Sequence, residues 1–214
     1  MLEAFINIDI KKFFFNILIP SYFFGSISFA VIISKIRGLK DPRKYGSNNP
    51  GATNVLRSGD KIAALLTLFG DSIKGLAVVL LIRYYVLIEP LNYNDYFFLS
   101  GGMMGVFLGH LFPIFFKFQG GKGVATGGGI LFGLDFFLGV SSLCVWLATF
   151  CYFRISALAA FVSAFSVLIF SKIFLPISFP NSANILIFTA WSMSVLLIFR
   201  HKENLISFIN SNNN

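Results

Sequence analysis

Residues 124–153 read VATGGGILFGLDFFLGVSSLCVWLATFCYF, and the fold depends on whether this run is broken. As one helix it gives the chain six membrane spans. Broken at Gly133-Leu134-Asp135, it becomes a half-length helix of about 16 Å over 124–134 that returns through a full span over 136–153, which makes seven. Outward from it, the other apolar runs cover 13–33, 62–82, 97–116, 155–177 and 184–199. The chain has 214 residues, 56% of them hydrophobic and 12% charged, and a mean hydropathy of +0.78. Soluble domains carry about a quarter charged residues, so this composition excludes a soluble enzyme. The run after Lys11 and Lys12 is too long for a signal-peptide core and lacks a small-residue cleavage site, so it reads as a retained first helix.

Charge placement chooses between six and seven. Cytoplasmic loops accumulate Lys and Arg. With seven spans, twelve of the 17 basic residues share one side: Lys35, Arg37, Lys40, Arg43, Lys44, Arg57, Lys61, Lys117, Lys122, Arg154, Arg200 and Lys202. Lys11, Lys12, Arg83 and Lys172 fall on the other, together with five of the nine acids, Glu3, Asp9, Glu89, Asp95 and Asp135. Six spans divide the bases ten to six. The expectation is a single polytopic all-α membrane domain over 1–214, with about seven transmembrane helices, one of them half-length. Its amino terminus lies outside and its carboxyl terminus in the cytoplasm. No internal repeat is visible.

That topology gathers three polar segments, about 34–61, 117–129 and 200–214, on the cytoplasmic face. The first contains GSNNPGATNVLR over 46–57, dense in residues that expose backbone N–H groups and short polar side chains, and it ends in Arg57. This composition suits either an anion site or a solvated loop leading into a capped helix. The second, KFQGGKGVATGGG over 117–129, is not a Walker A loop, because Phe116 stands where Gly is required and Gly123 follows Lys122. Its glycines allow close backbone approach to a ligand, and they equally suit a flexible basic loop. The third is Arg200-His-Lys-Glu-Asn204, in which His201 and Asn204 share a helical face. His110 reads as an interface residue or a ligand. Asp71 and Lys74, three apart inside a span, read as a structural ion pair, because a lone charge at membrane depth costs roughly 2.5–3.5 kcal/mol. Cys144 and Cys151, seven apart on one helix, are too distant for a disulfide and read as inert packing residues. Paired catalytic carboxylates, HExxH, GxSxG and Cys/His metal clusters are missing from the sequence, so covalent acyl transfer and a metal site find no support. Nucleic-acid binding finds none either.

Taken in order and at their spacings, GSNNPGATNVLR over 46–57, GHLFP over 109–113 with KFQGGKGVAT over 117–126, and RHKEN over 200–204 closely resemble the bacterial acyl-phosphate:glycerol-3-phosphate acyltransferases, the PlsY family. The resemblance runs from Gly25-Ser26 to Leu205. Gln119 departs from it, since the family usually has a basic residue there. The resemblance implies a seven-helix enzyme of the bacterial inner membrane with its active site at the cytoplasmic face. It would transfer a fatty acyl group from acyl-phosphate to the 1-hydroxyl of glycerol 3-phosphate, giving lysophosphatidic acid and phosphate, the first acylation of phospholipid synthesis. Transfer would be direct, without a covalent acyl-enzyme, cofactor or metal. The implied partners are the two substrates, membrane lipid and an upstream enzyme that forms acyl-phosphate.

Residue by residue, the resemblance gives catalytic roles to Ser47, Arg57, His201 and Asn204. Phosphate-binding or phosphate-shaping roles go to Asn49, Thr53, Asn54, Lys117, Gly120, Gly121, Lys122 and Gly123. A transporter for a phosphorylated solute would use the same loops, but transporters usually show internal repeats and sites near the midplane.

Overall fold

In the computed structural model the described residues are 13–87, 93–180 and 182–212, with side chains described over 15–85, 96–180 and 182–202. Lys11, Lys12, Glu3, Asp9 and Glu89, and the side chains of Asp95 and Asn204, lie outside them. Among the described residues the secondary structure is all helical: a π-helical stretch Phe13–Leu18, then α1 (Ile19–Gly25), α2 (Phe29–Ile36), α3 (Ala52–Leu56), α4 (Lys61–Leu87), α5 (Tyr93–Leu111), α6 (Val124–Leu134), α7 (Phe136–Phe153), α8 (Ser156–Ser178) and α9 (Ala183–Asn212). Short 3₁₀ turns cover Pro42–Lys44 and Ile114–Phe116. Five helices are long and apolar enough to cross a membrane: α4, α5, α7, α8 and α9. Many of their exposed positions are large and apolar, as Leu81, Phe137, Phe165 and Phe188 are, which suits faces turned to lipid.

The first span is not the single helix expected over 13–33. It bends by 41° between Phe15–Gly25 and Phe29–Ile36. Ser28 is extended at the break, with φ −91 and ψ 99, and the carbonyl of Ile27 leaves the helical ladder. Exposed backbone is not tolerated in lipid. Here the Ile27 oxygen accepts a hydrogen bond from Lys74 Nζ at 2.9 Å.

The break at 133–135 is present, and both of its ends are satisfied. Arg83, reaching from α4, donates Nη1 to the carbonyls of Gly133 at 2.8 Å and Leu134 at 2.9 Å, closing the carboxyl end of α6. Asp135 caps α7, its Oδ1 accepting from the Leu138 N–H at 2.8 Å. Its Oδ2 accepts from the Ser178 hydroxyl at 2.5 Å, tying the turn to the end of α8. Arg83, counted from sequence only among the outer bases, is thus the device that allows a half-length helix. The 11-residue α6 packs tightly on α4: a Cβ on Gly129 would overlap the Ser72 carbonyl, and one on Gly75 the Thr126 carbonyl.

The core runs through α4, α5, α6, α8 and α9, with Met103, Phe107, Leu111, Ile130, Leu134 and Leu186 fully buried or nearly so. Cys144 and Cys151 are free and exposed on α7, outside that core rather than packed in it. The cause is register, since α7 buries only Leu138, Gly139 and Ser142.

Candidate active site

All three polar segments meet at one end of the bundle. The first is a folded loop built around Asn54 on α3. Asn54 is buried, and its amide Nδ2 donates to the Pro42 carbonyl at 2.7 Å and the Tyr45 carbonyl at 3.1 Å. Its Oδ1 accepts the Ser47 N–H at 3.0 Å. Both amide donors and the amide oxygen are thus bonded to the protein's own backbone, and the side chain shapes the loop from beneath. Above it, Ser47 and Arg57 are exposed and Asn49 is half-buried. Gly46 is left-handed at φ +59, and a Cβ there would overlap Asn54 Oδ1 and lie 3.2 Å from Arg57 Nη1. Arg57 therefore lies over Gly46-Ser47. Exposed Thr53 faces Ser156 at the start of α8, with hydroxyls 3.3 Å apart.

Two arginine–aspartate pairs brace this loop. Arg43 forks onto Asp41, with Nη2–Oδ2 at 2.6 Å and Nε–Oδ1 at 3.0 Å, and its guanidinium holds the Asp41 carboxyl below the usual range. The same guanidinium lies over the Phe116 ring and donates Nη1 to the Phe116 carbonyl at 3.4 Å, joining the first segment to the second. Asp60 caps α4 through the Ala63 N–H at 2.9 Å and pairs with Arg37 at 2.8 Å; the N–H, then Arg37, hold its carboxyl down.

The second segment turns sharply after the 3₁₀ turn. Lys117 and Phe118 are both left-handed and exposed, at φ 56 and 59. Gly120 and Gly121 are buried against the end of α5. The Gly121 N–H donates to the His110 carbonyl at 3.1 Å. A Cβ on Gly120 would overlap that same carbonyl, and one on Gly121 the His110 ring. Gly123, at φ +91, precedes the first turn of α6 without a side-chain cap. A helix start of this kind presents unsatisfied N–H groups and partial positive charge, a ready anion site. Half-buried Lys122 stands beside it.

The third segment is not a tail but the continuation of α9. Arg200 Nη2 donates to the Gly120 carbonyl at 3.1 Å and the Gly121 carbonyl at 3.3 Å, and the guanidinium lies over the Phe112 ring. Buried His201 places Nδ1 2.9 Å from the Leu197 carbonyl. Because a carbonyl only accepts, Nδ1 carries the proton, and in a neutral ring Nε2 is left as an acceptor. Lys122 and Arg200 lie close enough to act on this ring electrostatically. Asn204 follows one turn later on α9, with its side chain outside the described residues.

The structure thus joins Gly120–Gly123 to the helix carrying His201, and links the Ser47–Arg57 loop to them through Arg43 and Phe116. Sequence reading missed Arg43, which sits in a basic run with no distinguishing spacing. Arg200 was counted only among the cytoplasmic bases, although it grips the glycine loop. Among the described residues neither histidine is hydrogen-bonded to a serine, threonine or cysteine, and no cluster of three metal-ligating side chains is present.

A family model described as glycerol-3-phosphate acyltransferase matches residues 15–211. The glycerol-3-phosphate acyltransferase of Cupriavidus metallidurans is 47% identical over 189 residues, 88% of this chain and 89% of that one. That of Burkholderia pseudomallei is 46% identical over 187 residues, 87% of each. The crystal structure of PlsY (YgiH), an integral membrane glycerol 3-phosphate acyltransferase, in its glycerol 3-phosphate form superposes with a TM-score of 0.78 at 31% identity, covering 91% of this chain and 90% of that one. Its lysophosphatidic acid form gives 0.75 at 30% identity, covering 89% of each.

Proposed function

The chain belongs to the glycerol-3-phosphate acyltransferase family, in its integral-membrane PlsY branch, and we propose that its acyl donor is acyl-phosphate and that transfer is direct. The 1-hydroxyl oxygen of glycerol 3-phosphate attacks the acyl carbonyl carbon. The carbon–oxygen bond to phosphate breaks, and phosphate departs with the hydroxyl proton, leaving lysophosphatidic acid. A mixed anhydride has a good leaving group, so the chemistry asks the protein for positioning and for stabilisation of negative charge rather than for a strong base or nucleophile.

The observation that carries this reading is the glycine loop at the start of α6. It is seated on the end of α5, held from α9 by Arg200 and flanked by Lys122, so that the uncapped first turn of α6 and a lysine converge where a phosphate would sit. Gly120, Gly121, Lys122 and Gly123 take the phosphate of glycerol 3-phosphate, with Lys117 at the rim. His201, its Nε2 an acceptor, and Asn204 orient the attacking hydroxyl. Ser47, Asn49 and Arg57, on the loop that Asn54 shapes and Thr53 ties to α8, receive the acyl-phosphate phosphate. The acyl chain lies among the phenylalanine-rich helices. The end carrying the twelve basic residues is cytoplasmic, which places the amino terminus outside, in the inner membrane of a bacterium. An acyl-phosphate-forming enzyme supplies the donor.

The test is donor choice by the purified protein in lipid. Acyl-phosphate supports glycerol 3-phosphate acylation, acyl thioesters do not, and denatured protein retains no acyl label when glycerol 3-phosphate is withheld. Efficient thioester use or a stable acyl-protein bond would overturn the reading.

A further inference from the structure

Asp71, Lys74 and His110 are all buried inside the spans, and the mechanism above uses none of them. Lys74 on α4 is 1% exposed. Its ammonium meets three partners: Asp71 Oδ1 at 2.8 Å, the Ile27 carbonyl at 2.9 Å and His110 Nδ1 at 2.9 Å. An ammonium has three donors and no lone pair. Paired with Asp71 it is charged, so His110 Nδ1 must accept. That leaves the imidazole proton on Nε2, the opposite tautomer from His201. Asp71 Oδ1 is a competing acceptor 3.5 Å from the same Nδ1, but the Lys74 ammonium at 2.9 Å is the closer partner and decides the tautomer.

The edge of the ring that carries Nε2 lies against Gly121, where a Cβ would overlap it. The backbone of the same residue takes the Gly121 N–H at 3.1 Å. His110 therefore holds the glycine loop twice, once through its carbonyl and once through its ring. The ring is oriented by a lysine that also closes the break in the first span.

We propose that His110 is a positioning residue for glycerol 3-phosphate: the Lys74 ammonium fixes its imidazole with the proton on Nε2, and the ring edge packed against Gly121 holds that residue in its phosphate-binding position. This rests on the assignment of glycerol 3-phosphate to the glycine loop. A purely structural role would require only that the space be filled. The proposed role requires a side chain that both accepts from the Lys74 ammonium and reaches Gly121, which Gln can supply and Leu cannot.

The experiment has two arms, and the first needs no variant to be active. The chain has two histidines, so ¹⁵N-histidine NMR of the wild-type protein in lipid at pH 7 gives two imidazoles, with the one lost in His110→Gln assigned to His110. The expected spectrum shows a proton on Nε2 and a bare Nδ1; a proton on Nδ1 overturns the proposal. In the second arm, His110→Leu raises the KM for glycerol 3-phosphate tenfold or more with kcat within threefold. His110→Gln keeps KM within threefold of wild type. Equal effects of Leu and Gln, or an unchanged KM in Leu, would overturn it. Wild-type protein without glycerol 3-phosphate-dependent transfer would instead refute the substrate assignment, with the NMR result still deciding the tautomer.

Discussion

Asn54→Ala isolates the contribution of a residue bonded to the backbone of its own loop. The substitution deletes three hydrogen bonds, to the Pro42 and Tyr45 carbonyls and from the Ser47 N–H. The bond to Pro42 is buried, and an orphaned buried carbonyl costs about 1–3 kcal/mol. The other two partners are only part-buried and regain some hydrogen bonding from water, so each adds about 0.5–1 kcal/mol. The sum is near 3 kcal/mol, directed at the loop because the spans do not depend on it. At 1.4 kcal/mol per factor of ten, the folded loop loses about 100-fold in population relative to open forms. If the wild-type loop is only a few kcal/mol stable, that loss passes into activity as a smaller competent fraction. The expected result is a fall of kcat/KM by up to about 100-fold, faster protease cleavage within 40–57, and an unchanged melting temperature for the bundle. Activity within threefold of wild type together with unchanged proteolysis would refute the role.

Arg57→Ala removes an exposed cation that forms no side-chain hydrogen bond or ion pair among the described residues, so acyl transfer falls by orders of magnitude while membrane insertion and yield remain normal. Near-normal turnover would refute its part in the reaction. Gly121→Ala drives a methyl group into the His110 ring, so the KM for glycerol 3-phosphate rises, and an unchanged KM would count against the loop's assignment. Asp41, held low by Arg43, stabilises the loop above its unfolded value near 3.8, and that contribution is lost as pH falls through its depressed folded value. At a part-buried surface pair of this kind the effect is about 1 kcal/mol or less. Protease protection of the loop should therefore be greater in wild type than in Asp41→Asn at pH 7, with the difference shrinking only as pH falls below 3.8 and vanishing below the depressed folded value.

What was legible in the sequence was whatever a local pattern encodes. The break at Gly133-Leu134-Asp135 could be read because a cap residue interrupts an over-long apolar run. The three polar segments stood out by composition, and the charge excess pointed to their gathering on one side. What was not legible depended on partners distant in sequence. The bend at Ser26–Ser28 looked like uninterrupted helix, because the group that satisfies its free carbonyl is Lys74, 47 residues away. Arg83 counted only as an outer base because its acceptors are 50 and 51 residues downstream. That Asn54 shapes its loop through three backbone groups was not visible, since burial beneath a loop leaves no mark on composition. The pairing of Asp71 with Lys74 was visible at helical spacing, but its extension to His110 and the glycine loop was not.

The most direct test of the central claim is the stoichiometry of one reaction. Purified protein in lipid is given synthetic acyl-phosphate with and without glycerol 3-phosphate, and phosphate and lysophosphatidic acid are measured together. The expected result is phosphate release that depends on glycerol 3-phosphate and matches lysophosphatidic acid one to one. Phosphate release at the same rate without glycerol 3-phosphate, or lysophosphatidic acid formed without phosphate, would contradict direct transfer between two phosphorylated substrates at this face.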